Sequence, residues 1–304
     1  MENPLVSIGI SIWNGELFFP ETLNSLLAQD YENIEIIILD NLSGDNTPSI
    51  CKEYARKDSR IRYILDNEKT DVIEGQKRVF SHARGEYFMI ACDDDVYAPS
   101  YVSSLMNLMR SDPSIGLAYS SYEYISADGI HSSAHFKTTY FLTKHNSKSH
   151  NFMHYLLHRN PLPIVFGLIR TKVHKDALPY YFRVDRRRWD HDNLYMLRLL
   201  SLTRVDSTNE ALFFYRQRDR EKLYVARGQL VPRSSKWKDY ADNVLHQTKL
   251  TGMIHKIINE APFSYMEKKG LWLYAVFILL LNIKRITRRL IPISSRRLRL
   301  GRMR

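Results

Sequence analysis

Two cysteines, Cys51 and Cys92, are all that the 304 residues contain. Two thiols at unrelated positions build neither a disulfide framework nor a zinc site, which fits a reducing, cytoplasmic setting. Glycine is sparse as well, at 12 residues. None of it forms the Gly-x-Gly-x-x-Gly turn of a dinucleotide fold or the glycine-rich lysine loop of a P-loop. The start, Met1-Glu2-Asn3-Pro4, lacks a basic stretch followed by an apolar run, so no secretory signal is expected. Internal repeats are absent too. What is plentiful is apolar side chain, 44% of residues with 12% aromatic, which excludes a disordered chain and supplies a real core.

The net charge of +11 suggests nucleic acid until it is located. Residues 284–304 hold nine Lys/Arg and no acid, so the remaining chain carries only about +2. The basicity belongs to a tail, and no nucleic-acid partner is expected of a near-neutral body.

Apolar periodicity orders the chain as strand, helix, strand, helix. Strands are expected at 5–12, 34–39, 61–65, 87–91 and 117–124, with helices at 16–29, 47–57, 73–83 and from Pro99 to Met109. Thr47-Pro48 reads as an N-cap followed by a proline in the first helical position. The run Ile34-Glu-Ile-Ile-Ile-Leu39 is typical of a strand covered on both faces. This alternation predicts an α/β fold with a mostly parallel, doubly wound sheet and flanking helices. Later signals are less regular: a turn at Asp128-Gly129, a polar loop over 131–150, strands at 163–170 and 209–216, and a helix at 190–200. From Lys236 onward the chain reads as helical.

The feature that folding does not explain is Asp93-Asp94-Asp95, three carboxylates at the end of an apolar strand. Adjacent anions repel and hold their water. A hard cation such as Mn2+ or Mg2+ reverses that balance, because it takes carboxylate oxygens and shares them with phosphate. Ligands of open α/β sheets bind beyond the carboxyl ends of strands, where this cluster falls. Read blandly, it is an acidic turn that opens the next helix.

The triplet joins other segments in a fixed order: Val6 to Asn14, Asp40 to Thr47, Ala83-Arg84-Gly85-Glu86-Tyr87, and Trp189-Asp190-His191-Asp192. Together they resemble the family 2 glycosyltransferases of the GT-A fold, strongly over 4–120 and more thinly to about 218. The resemblance implies a glycosyltransferase domain over 1–218. Its nucleotide-sugar half is 1–120 and its acceptor half 121–218, followed by a helical C-terminal extension over 219–304. It implies a nucleotide-diphospho-sugar donor, with UDP favoured, and a glycan or lipid-linked acceptor. Ser11, Trp13 and Asp40 would line the base and ribose pocket, Asp94 would face ribose and metal, and Asp95 would ligate the metal. Asp192 matches the catalytic base, with Asp190 in reserve, and Arg216 and Arg218 match a late basic segment near the diphosphate. Each residue also has a plainer reading: core packing for Trp13, a turn with Ser43 and Asp45 for Asp40, a first-turn carboxylate for Asp192, and solvated charge for the arginines. Three positions depart from the family pattern. Cys92 stands where an acid is usual, so Asp93 becomes the extra ligand or an exposed acid. His191 replaces the usual Glu before the base, and Lys77 replaces an Asn.

Residues 271–283 form an apolar run, too short for the roughly 20 residues of a bilayer span. The basic tail 284–304 follows it at once. That combination fits either an interfacial helix on an anionic inner membrane face or a buried helix with a frayed tail. Two other functions compete with sugar transfer. A nucleotidyltransferase making nucleotide-sugars would want a basic, glycine-rich loop after the first strand, and Ser11 to Gly15 has one glycine and no base. A non-catalytic nucleic-acid-binding protein would use the arginine-rich tail.

Overall fold

In the computed structural model of the chain, the described residues are 3–127, 129, 142–158, 164–180, 191–217 and 236–290; the side chains of 191, 236–247 and 282–290 are not among them. Asp128, most of the 131–150 loop, Pro163, Trp189, Asp190, Arg218 and the tail 291–304 therefore lie outside the described residues. The chain forms two compact units, Met1–Gly228 and Gln229–Arg304.

The first unit opens with β1 (Val6–Ile12), α1 (Phe19–Leu27), β2 (Ile34–Asp40), α2 (Thr47–Lys57), β3 (Ile61–Leu65), α3 (Val72–Ser81) and β4 (Tyr87–Ile90). It continues with β5 (Val96–Tyr97), α4 (Tyr101–Ser111), β6 (Ile115–Ile125), α5 (Lys148–His158), β7 (Leu168–Arg170), α6 (Thr171–Ala177), α7 (His191–Leu202) and β8 (Arg204–Arg216). Among the described residues these make one sheet in the order β3-β2-β1-β4-β7-β6-β8-β5. β1, β2, β3 and β4 pair in parallel, as do β6 and β8, while β7 and β5 pair antiparallel to their neighbours. Six strands thus finish at one edge of the sheet.

Local chemistry explains the first half well. All seven residues of β2 are buried, as a strand covered on both faces requires. Asp71 caps α3, its side chain accepting the Glu74 N–H at 2.9 Å. Gly75 lets that helix approach β1, since a Cβ there would fall 2.3 Å from Ser11 Oγ. Thr47 is not the cap of α2: Asn46 precedes the helix and makes no capping bond of its own, while Asp45 Oδ1 accepts the Thr47 N–H at 3.0 Å. The Thr47 hydroxyl instead accepts the Gly15 N–H at 2.9 Å, tying the helix start to another loop.

The second half differs more from expectation. The strand expected over 163–170 is a 3₁₀ turn, Ile164–Phe166, followed by the short β7. Gly167 divides them, and a Cβ there would sit 2.5 Å from the Ala118 carbonyl oxygen. The helix α5 starts at Lys148, inside the stretch expected to be loop.

The second unit is an α-hairpin of α8 (Lys236–Glu260) and α9 (Tyr265–Leu290), whose helices pack together. Ser264 and Glu267 form a capping box at the start of α9. The Ser264 N–H donates to Glu267 Oε2 at 2.8 Å, and the Glu267 N–H donates back to Ser264 Oγ at 3.3 Å.

Candidate active site at the carboxyl edge of the sheet

The loops leaving β1 and β2 are laced together. The Asn14 N–H donates to Ser43 Oγ at 3.0 Å, the Gly44 N–H to Asn14 Oδ1 at 2.8 Å, and the Glu16 N–H to Asp45 Oδ2 at 3.1 Å. Asn41 extends the lacing to the loop after β3: its Nδ2 donates to the Thr70 carbonyl, and its Oδ1 accepts the Thr70 N–H, each at 2.7 Å. Two non-glycine residues here adopt left-handed backbone, Asn14 at φ 53° and Leu42 at φ 56°. A leucine in that region costs about 1–2 kcal/mol. Such strain persists where surrounding contacts over-determine it, and it clusters at functional sites.

Three donor-pocket candidates fall within this lacing. Asp40 closes β2, fully buried, with Oδ1 accepting the Ser43 N–H at 2.8 Å and Oδ2 accepting the Tyr63 hydroxyl at 2.9 Å. The turn with Ser43 is therefore formed. Burial, and then the bond to Asp40, push the Tyr63 phenol well above its ordinary value. Trp13 is half-buried, with Lys69 Nζ 3.7 Å above its ring. Ser11 is half-buried against Gly75. Cys51, behind them on α2, is buried; burial, then Asp40 and Asp45, raise its thiol to about 12, which leaves it inert.

The triplet sits beyond β4, which the Ala91 N–H extends by bonding the Gly9 carbonyl at 2.9 Å. Asp95 is fully buried, whereas Asp93 and Asp94 are half-buried. Asp93 leans toward the β1–α1 loop: a Cβ on Gly15 would lie 3.1 Å from its Oδ2. Among the described residues, the group able to converge on one cation is Cys92, Asp94 and Asp95, whose ligand atoms lie within 4.8 Å of one another. Two carboxylates suit Mn2+ or Mg2+, and the soft thiol stands where a third hard ligand would be better. The donor set therefore fits a hard divalent ion held chiefly by Asp94 and Asp95. That Cys92 lies within reach of this group was not legible in the sequence, which offered Asp93 as the extra ligand or an exposed acid.

Arg216, at the end of β8, is not solvated charge. It is 2% exposed. Its Nε donates to the Asp94 carbonyl at 2.7 Å, Nη1 to the Ser126 and Ala127 carbonyls at 3.1 and 3.2 Å, and Nη2 to Glu21 Oε2 at 2.5 Å. Nothing in the sequence linked Glu21 to this corner.

Asp192 lies in the first turn of α7, where the helix dipole favours a carboxylate. Only Thr203 separates α7 from β8. The helix packs against α5 and α6. One turn on, Tyr195 is buried; burial and then Asp192 hold its phenol well above the ordinary value. Its hydroxyl bonds Nδ1 of the buried His174, whose pKa burial lowers to about 3. The His191 side chain, Asp190 and Arg218 lie outside the described residues.

Known proteins resemble this chain. The glycosyltransferase GlyG of Streptococcus pneumoniae is 29% identical over 125 residues, 41% of this chain and 42% of that protein. An uncharacterised glycosyltransferase of Rickettsia typhi is 26% identical over 274 residues, covering 88% of this chain and 81% of its own. The chain thus spans less than half of the pneumococcal relative and most of the rickettsial one. Among solved structures, Staphylococcus aureus TarS 1–349 in complex with UDP-GlcNAc superposes with a TM-score of 0.64 at 16% identity, over 88% of this chain and 70% of that one. A Pyrobaculum calidifontis mannosyltransferase in complex with GDP-Man and Mn2+ gives 0.55 at 13% identity, over 98% and 84%. These two likenesses establish a shared GT-A type fold. The model of the family described as glycosyl transferase family 2 matches residues 7–170, more than half of the sequence and the whole of the laced carboxyl edge, and the chain belongs to that family.

Proposed function

We propose that the protein transfers a sugar, with inversion, from a nucleotide-diphospho-sugar to a hydroxyl of a glycan or lipid-linked acceptor. The observation that carries this reading is the gathering of Asp40, Asp94 and Asp95 at one edge of the sheet, beside loops held rigid by their own hydrogen bonds. Asp40, Ser11 and Trp13 would receive the base and ribose, with UDP favoured. Asp94 and Asp95 would hold Mn2+ or Mg2+, which when bound offsets charge growing on the departing diphosphate. Asp192 takes the proton from the acceptor hydroxyl as that oxygen bonds to the anomeric carbon. The carbon–oxygen bond to phosphate breaks, and its electron pair leaves with the nucleoside diphosphate.

The competing nucleotidyltransferase reading needs free amides after β1 to cradle a triphosphate. The N–H groups of Asn14, Gly15 and Glu16 are instead taken by Ser43, Thr47 and Asp45. A thermal-shift panel of nucleotide-diphospho-sugars with and without Mn2+ tests the proposal. Stabilisation by a uridine diphosphate donor only when metal is present is expected. Equal stabilisation by a nucleoside triphosphate alone would favour the competitor.

The second unit bears on where the acceptor is met. Among the described residues no helix is long and apolar enough to cross a membrane. Yet α9 exposes Leu273, Phe277 and Leu280 at 56%, 54% and 59%, four and three residues apart and so on one face. Nine basic residues follow within 284–304. An apolar face beside a run of cations suits a bilayer rich in anionic lipid. Co-sedimentation with phosphatidylglycerol vesicles but not phosphatidylcholine vesicles, lost in Leu273→Glu/Phe277→Glu, is the expected result. Equal recovery with both lipids would remove this part of the proposal.

A further inference from the structure

We propose that Arg216 is a positioning residue that sets the main chain of Asp94 and Asp95 for cation binding; this rests on the metal-dependent reading above. An arginine side chain with no exposed surface is expensive unless its charge is paired and its donors are used. Here four side-chain bonds do that work, and they join segments far apart in sequence. Glu21 of α1 supplies the counter-charge, and the Phe18 ring lies 4.8 Å from the guanidinium. The turn after β6 receives Nη1 through the Ser126 and Ala127 carbonyls.

What reaches the triplet is specific. The Arg216 Nε grips the Asp94 carbonyl at 2.7 Å, and its main-chain N–H donates to Asp95 Oδ1 at 2.9 Å. One residue therefore fixes both the peptide that carries Asp94 and the carboxylate of Asp95. Its side-chain donors go to carbonyls and Glu21, so it shapes the acidic corner without itself offering a fork to phosphate. Groups that orient metal ligands in this way typically change metal affinity by about 10–100-fold when removed.

The experiment titrates Mn2+ against protein with UDP present, reading free Mn2+ by electron paramagnetic resonance, alongside thermal unfolding. Arg216→Gln is expected to weaken Mn2+ binding by about tenfold or more. Raising Mn2+ should recover most of the transfer rate, so that the defect lies in metal requirement and not in kcat at saturation. Glu21→Gln, at a half-exposed position, keeps the fold and should weaken Mn2+ binding in the same direction by less. A destabilised core variant, Ile37→Val, should lower the unfolding temperature and leave Mn2+ binding unchanged. If Arg216→Gln folds and binds Mn2+ as the parent does, the inference is overturned. If it does not fold, an unshifted Glu21→Gln overturns it equally. A parent protein that binds no Mn2+ with UDP brings down the metal-dependent reading itself, which is a separate and recognisable failure.

Discussion

Glu35 and Asp95 are both buried carboxylates in one sheet, and they sit at opposite edges of it. Glu35, near the start of β2, accepts Ser7 Oγ at 2.6 Å, the Arg84 N–H at 2.8 Å, and guanidinium donors of Arg84 and Arg62 between 2.8 and 3.1 Å. Burial pulls its pKa up, but these bonds outweigh it and hold the pKa below the ordinary value. Around Asp95 the buried arginine sends its side-chain donors to carbonyl oxygens and Glu21. The neighbours of Asp95 are another carboxylate and a thiol within cation-binding reach. One edge uses charge to close the structure, and the other brings together groups that can ligate a cation. Such groups gathered where strands end are what a cation and a diphosphate would exploit.

Isosteric substitution at the two acids should separate the roles. Asp95→Asn keeps an acceptor for the Arg216 N–H, so folding should be little affected. Transfer should fall by about 10³-fold or more if several kcal/mol of charge stabilisation is lost with the metal. A steady-state assay with Mn2+ titration checks this, and a fall of under tenfold would erase the distinction between the edges. Asp192→Asn should cost about 10²–10⁴-fold, the usual worth of a general base. Mn2+ and donor binding should survive in that variant, which calorimetry can establish. Normal turnover would return Asp192 to the role of a first-turn carboxylate. Glu35→Gln should show the reverse pattern. About 2 kcal/mol of stability should be lost, because a buried acceptor of charged donors is weakened while both arginines keep contact with water. Transfer per folded molecule should not change. Urea unfolding beside the activity assay measures both.

The same contrast explains what could be read from sequence. The half from β1 to β4 is made of local signals: an apolar run, a turn, an amphipathic helix, a cap. The extents of β2, α2 and β3 follow from those signals within a residue or so. The Asp93–Asp95 triplet was visible because adjacent acids conflict with burial. Three things were hidden because they depend on distant partners. Thr47 looked like a cap, yet its hydroxyl serves Gly15 on a different loop. Arg216 read either as a late basic segment near the diphosphate or as solvated charge, and only the fold brings Glu21, 195 residues away, to its guanidinium. The strand expected at 163–170 is broken at Gly167 by the approach of Ala118 from β6. Sequence periodicity carries no record of such encounters.

Between the two edges lies a titratable group that should affect stability and not transfer. His174 is fully buried, with its ring 4.2 Å from that of Phe80 and 4.8 Å from that of Phe88, and burial lowers its pKa to about 3. The unfolded chain takes up a proton near 6.5, whereas the folded chain does not until about 3. Stability from this group is therefore complete above pH 6.5 and declines as the pH falls. Between pH 7 and 5 the loss should be about 2 kcal/mol by linkage. Glu35 does not contribute in that window, because a depressed carboxylate gives up stability only below its ordinary value of 4.5. His154 does contribute, with the same sign, since burial and then His158 lower its pKa. A comparison of parent and His174→Phe isolates the buried ring from it. The variant should be less stable at pH 7, having taken a partner from the Tyr195 hydroxyl, and should lose less between pH 7 and 5. Denaturant midpoints at the two pH values decide the matter. Parallel slopes in parent and variant would show that the proton goes elsewhere.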